Sequence, residues 1–112
     1  MNVSIQVTAK SDTESSVTVK GEVDVYTAPE LREKLLPLCE RNQHKVVVDL
    51  AEVTYMDSMG LGVLIGAYKA SQRADGELVI TGATARVERL FNITGLNELI
   101  TIEKLQVQGD EE

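Results

Sequence analysis

The sequence predicts a single α/β domain, a mixed β-sheet with helices packed on it, in the order β-β-α-β-α-β-α-β. Three observations predict it. Valine and isoleucine alternate with polar residues from Val3 to Val25, the period of half-buried strands. Two short runs rich in β-branched residues, Val46-Val47-Val48 and Leu78-Val79-Ile80, read as strands buried on both faces. Segments of helical apolar spacing lie between these runs, and strands alternating with helices require crossover connections.

Each element has its own reason. Val3, Ile5 and Val7 share one face of the first strand, with Ser4, Gln6 and Thr8 on the other. The polar run Lys10 to Ser15 turns the chain. Alternation then resumes at Val17 and Val19, survives Gly21 and continues through Val23 and Val25, which predicts an antiparallel hairpin. Thr27, Pro29 and Glu30 form a capping box with proline in the first turn, so a helix starts there with Thr27 as N-cap. Leu31, Leu35 and Leu38 face inward, Arg32, Glu33 and Lys34 outward, and Pro37 should kink the helix or end it early. Asn42, Gln43 and His44 form a solvated exit, and Lys45–Leu50 is a buried strand. After a connector, a helix runs from Met59 to about Arg73. Asp75-Gly76 turns into the strand Glu77–Thr81. A helix from Thr84 to about Phe91 places Val87, Leu90 and Phe91 inward, Gly95 breaks it, and Leu99–Ile102 is the last strand.

The 112 residues suit one domain, 1–108, followed by an acidic tail at 109–112. Eighteen acidic residues stand against 11 basic ones, a net charge of −7, which argues against nucleic-acid binding because that needs dense Lys and Arg. One cysteine, Cys39, excludes an intramolecular disulfide framework and any multi-cysteine zinc site, and reads as a small core residue. No uncharged stretch is long enough to span a bilayer, and the N-terminus does not read as a signal peptide, so the expected location is the cytoplasm. His44 has no nucleophile partner in the sequence. Gly60, Gly62 and Gly66 lack the lysine of a phosphate loop. No metal or cofactor motif is present, and an enzyme is disfavoured.

One segment carries unusual chemistry, Thr54 to Tyr68. Asp57-Ser58 stands at a helix start, where Ser58 is a natural N-cap. Leu61, Leu64, Ile65 and Tyr68 form the expected core stripe. Met59, Val63, Ala67 and Ala70 form a second apolar stripe, so this helix is either covered on both sides or offers an apolar patch to a partner. Its three glycines cost about 1 kcal/mol each relative to alanine. They admit two readings, tight packing on the sheet or close approach by another protein. A phosphate on Ser58 would meet backbone N–H groups at the positive end of the helix and place new negative charge beside Asp57. Such a modification would change binding more than folding.

Three segments carry a family resemblance: Gly21-Glu-Val-Asp-Val-Tyr-Thr-Ala-Pro-Glu-Leu-Arg-Glu-Lys-Leu35, Tyr55-Met-Asp-Ser-Met-Gly-Leu-Gly-Val63 and Arg89-Leu-Phe-Asn-Ile-Thr-Gly-Leu96. The chain resembles STAS-domain anti-sigma factor antagonists of bacteria, over nearly its whole length and in the same order. The resemblance implies partner switching in transcription control, closest to the general stress response. The unphosphorylated antagonist binds an anti-sigma factor that is also a serine kinase, and the sigma factor is freed. Phosphorylation ends the binding, and a PP2C-type phosphatase reverses it. By its match to the motif, Ser58 would be the phosphoacceptor, and Asp24 matches a family acidic position near the partner surface. Around the serine, Asp57, Met59, Gly60, Gly62 and Val63 are the further candidates for that surface, with Asp57 reading equally as a turn and cap residue. Met59 departs from the small Ser or Thr common after the phosphoacceptor, which leaves Ser58 the less ambiguous site. Asp24 reads from the residues alone as a charge on the polar face of its strand with Glu22.

Two other classes stay in view. A STAS module of a signalling scaffold, or one that binds nucleotide, would share the fold. An acyl carrier protein would share the small acidic chain and an Asp-Ser at a helix start, but it would be all-helical.

Overall fold

β1 (Val3–Ser11) and β2 (Glu14–Val23) form the expected antiparallel hairpin, with Ile5 opposite Val19 and Val7 opposite Val17. The turn is shorter than the polar run suggested, and the Thr13 N–H donates to Ser11 Oγ at 3.2 Å. From β2 onward every pairing is parallel. β2 pairs with β3 (Lys45–Met56), β3 with β4 (Glu77–Thr81), and β4 with β5 (Thr101–Glu103). The spatial order β1-β2-β3-β4-β5 is the chain order, and the sheet is mixed as its sequence predicts. The computed structural model describes residues 2–103; the boundary expected at 108 and the tail at 109–112 lie outside them.

Three helices join the parallel strands: α1 (Ala28–Cys39), α2 (Ser58–Arg73) and α3 (Ala85–Thr94). α1 and α2 pack against each other beside the sheet. Val17, Val19, Val46, Val48, Leu50 and Ile80 are fully buried in one core with Leu31, Leu35, Leu64 and Phe91. Cys39 is also in that core. Burial, and secondarily the charge of Glu40, pushes its thiol up from 9.0 to about 12.

Several expectations are corrected. β2 stops at Val23, because the Asp24 carboxylate turns back and accepts from the N–H groups of Tyr26 (2.9 Å) and Thr27 (3.1 Å). Val25, expected inside, is therefore 51% exposed. Asp24 is not a solvated strand residue either but lies buried past the strand end. Thr27 holds the N-cap position without capping: its hydroxyl accepts from the Asp24 N–H (2.9 Å) and donates to the Glu22 carbonyl (2.7 Å). α1 runs past Pro37 to Cys39, its last turn closed by the Glu40 N–H on the Leu36 carbonyl.

His44 is the largest reversal. It is 2% exposed, with Nε2 at 2.8 Å from Ser15 Oγ, itself 1% exposed. Its backbone carbonyl takes the Glu77 N–H, and a Cβ on Gly76 would meet that carbonyl oxygen at 2.4 Å. The connector is a packed junction, since three strands begin beside it. β3 also continues through the supposed connector to Met56, its register shifting where it leaves Asp49. In α2 the core face is Leu61, Leu64, Ala67, Ala70 and Ser71, while Ile65 and Tyr68 are only half-buried. α3 extends to Thr94 and ends on Gly95 at φ 79°, with Val87 and Phe91 inside and Leu90 half-buried. A 3-10 turn (Leu96–Glu98) then shortens β5, and Ile100 rather than Leu99 enters the core.

Candidate functional site

The carboxyl ends of β2 and β3 lie side by side, Val23 opposite Met56, and each feeds a helix. The Asp57 N–H donates to the Val23 carbonyl at 3.2 Å, so the start of α2 is tied to the neighbouring strand. Asp57, not Ser58, is the N-cap. Its Oδ1 accepts from the N–H groups of Met59 (2.9 Å) and Gly60 (3.3 Å). Ser58 is instead the first helical residue, and its side chain is exposed. The N–H groups expected to receive a phosphate here are thus already engaged by a carboxylate. A phosphoryl group on Ser58 would project outward beside a second anion.

Ser58 stands on the rim of a cavity of about 440 Å³ between α1 and α2, lined by Ala28, Pro29, Arg32, Met59, Gly62 and Val63. Met59 is 48% exposed, a large apolar side chain left to solvent. The glycines divide between the two readings open for them. A Cβ on Gly60 would meet Met56 Cγ at 2.7 Å and Val23 Cγ1 at 2.8 Å, so Gly60 is buried where α2 crosses the sheet. It does not face outward, contrary to its place among the expected surface residues. A Cβ on Gly62 or Gly66 would meet nothing within 4 Å. The domain's own packing does not require glycine at either position.

Asp24 lies in a second cavity, of about 470 Å³, with Glu22, Val25, Tyr26, Tyr55 and Arg86. Its Oδ1 is engaged as described, but its buried Oδ2 has no hydrogen-bond partner. An unpaired carboxylate oxygen is costly and is relieved by any incoming donor. The structure thus brings Ser58, Met59, Gly62 and Val63 together, sets Asp57 beneath them as the cap, and puts Asp24 around the corner. Sequence reasoning missed Arg32, and it missed Tyr26 and Tyr55, which are 81% and 41% exposed. The signal for Tyr26 was available, since Val25-Tyr26 follow directly on a residue able to end the strand by an Asx turn.

Comparison with known proteins agrees with this architecture. The STAS domain family model matches residues 4–107. The chain belongs to the STAS-domain family. Among curated proteins, this STAS domain is 47% identical over 102 residues to an anti-sigma-B factor antagonist of Staphylococcus epidermidis, covering 91% of this chain and 94% of that one. It is 41% identical over 106 residues to an anti-sigma-B factor antagonist of Listeria monocytogenes, covering 95% and 93%. Among solved structures it superposes on an anti-sigma factor antagonist from Mycobacterium paratuberculosis with a TM-score of 0.80 and 25% identity, over 91% and 86% of the two chains. Anti-sigma factor antagonists of the STAS family are generally regulatory proteins. Among the described residues no His, Cys, Asp and Glu cluster could hold a metal ion, and no helix is long and apolar enough to cross a membrane.

Proposed function

We propose that the chain is an anti-sigma factor antagonist of the bacterial general stress response, with no catalysis of its own, acting in the cytoplasm by partner switching. Its unphosphorylated form binds an anti-sigma factor that is also a serine kinase, and the sigma factor is released. The kinase transfers the γ-phosphoryl group of ATP to Ser58 Oγ, with ADP leaving and the hydroxyl proton lost to solvent. The phosphorylated antagonist lets go, and a PP2C-type phosphatase hydrolyses the phosphoserine. Identity of 41% to 47% to proteins named anti-sigma-B factor antagonist supports the partner class. Asp24, Asp57, Met59, Gly60, Gly62 and Val63 serve the partner surface in this reading, with Asp57 and Gly60 acting by shaping the turn from beneath.

The observation that carries the reading is the exposed Ser58 hydroxyl on the rim of an apolar cavity, on a turn fixed by Asp57. Adding a charge there leaves the core untouched and changes the surface where a partner would be desolvated. A switch needs binding to weaken about 100-fold, or about 2.7 kcal/mol. A phosphate of about −1.5 to −2 charge, held against an interface beside Asp57, supplies an effect of that size.

The test is incubation with the cognate kinase and ATP, followed by mass mapping of the modified residue. Modification at Ser58, and none in Ser58→Ala, is the expected result. Modification elsewhere, or none with any kinase of this class, would remove the claim.

A further inference from the structure

Below the Ser58 cavity the furrow between α1 and α2 continues as a smaller cavity of about 150 Å³. It is lined by Arg32, Lys69 and Arg73 around Leu36, Val63 and the open backbone at Gly62 and Gly66. No acidic side chain lines it, on a chain whose net charge is −7. All three cations are exposed, and the ion pair between Lys20 and Glu52 lies elsewhere. The fold therefore does not use these charges. α2 carries no acidic residue along its length, so they are not offset from their own helix either.

We propose that this basic furrow receives an acidic segment of the anti-sigma factor, its carboxylates facing Arg32, Lys69 and Arg73 while its backbone lies close over Gly62 and Gly66. The inference rests on the partner class proposed above and adds the chemistry of the contact. Charge complementarity sets the occupant: a partner segment of like sign would be repelled, and a neutral one would leave three cations partly desolvated without counter-charge. Arg32 lines both cavities, so it joins this furrow to Ser58. Negative charge added at Ser58 lands beside the cation at the head of the furrow and lowers its attraction for an acidic segment. The same event that marks the serine thus weakens the contact further along α2.

The experiment is calorimetric titration of the full chain with the anti-sigma factor of the same organism, at low and at high salt. Three variants are compared: Lys69→Glu with Arg73→Glu, Gly66→Leu, and Lys34→Glu as a control on the outer face of α1. All four substituted residues lie at helix surfaces, and circular dichroism checks that each variant is folded. The double reversal should weaken binding about tenfold or more at about 50 mM salt, with the gap narrowing at about 500 mM as the charges are screened. Gly66→Leu should weaken binding at both salt concentrations by filling the furrow, and Lys34→Glu should bind as the native chain does. Native-like affinity of both furrow variants overturns the proposal while leaving the partner class standing, provided the native chain binds. Failure of the native chain to bind any anti-sigma factor overturns both.

Discussion

The two ends of the parallel strands are built on opposite principles. Where β2, β3 and β4 begin, polar groups are buried and paired: His44 with Ser15, the Lys45 N–H with the Thr13 carbonyl, the Glu77 N–H with the His44 carbonyl. Gly76 leaves no room for even a methyl group. Where β2 and β3 end, about 36 Å away at 3.3 Å per residue along β3, the same chain leaves Asp24 Oδ2 unpaired and Tyr26, Met59 and Ser58 in solvent. One end is closed around its own hydrogen bonds and the other is open to outside groups. Polar residues in the closed end should therefore govern stability alone, while the exposed Ser58 and Met59 of the open end govern binding, on turns that Asp24 and Asp57 hold in shape.

The largest expected effect breaks the two apart at the open end. Ser58→Glu should bind the anti-sigma factor about 100-fold more weakly, a loss of about 2.7 kcal/mol, with its unfolding curve nearly unchanged. Ser58→Ala should bind and resist switching. Native-like affinity of Ser58→Glu would sink the switch. At the closed end, His44→Ala should cost about 1–3 kcal/mol in denaturant unfolding by orphaning the Ser15 hydroxyl, and leave partner affinity intact. Within α2 the comparison sharpens to a single turn. Gly60→Ala should destabilise by about 1–3 kcal/mol through its clash with Val23 and Met56, whereas Gly62→Ala should stabilise by up to about 1 kcal/mol. Opposite signs at two positions so close would show that only one of these glycines serves the fold.

The smallest effect is a pH dependence. Burial holds the Cys39 thiol protonated up to about 12, against 9.0 ordinarily. A folded-state value above the unfolded one means its contribution is intact below pH 9 and is lost as pH rises from about 9 toward 12. Stability measured at pH 8 and pH 10.5 should fall less in Cys39→Ala than in the native chain.

The architecture was legible because periodicity reports burial directly. β4 spans Glu77–Thr81 as its apolar run indicates, and Gly95 ends α3 as a left-handed cap. What escaped depended on contacts between distant residues. Nothing near His44 in the chain announces Ser15, which lies 29 positions away and meets it only through parallel pairing of β2 with β3. The turn that Asp24 makes was hidden behind Thr27, a good N-cap on paper, while at the start of α2 both Asp57 and Ser58 offered a cap and Asp57 takes it. The apolar stripe of Met59, Val63, Ala67 and Ala70 was real as a pattern, yet α1 covers part of that side and splits it. Ala67 and Ala70 are core, and Met59 is not. The Ser58 motif stood out in the sequence; the cations beside it did not, because Arg32 and Lys69 are far apart in the chain.

The tether from the Asp57 N–H to the Val23 carbonyl bears on timing. A serine displayed on a turn already held by its cap and by the adjacent strand needs no refolding before a catalyst reaches it, and none afterwards. In the proposed cycle, the delay between signal and response is then set by the turnover of the enzymes that add and remove the phosphoryl group. Tuning how fast the cell reacts would fall to those enzymes, while this domain acts as a passive register of their balance.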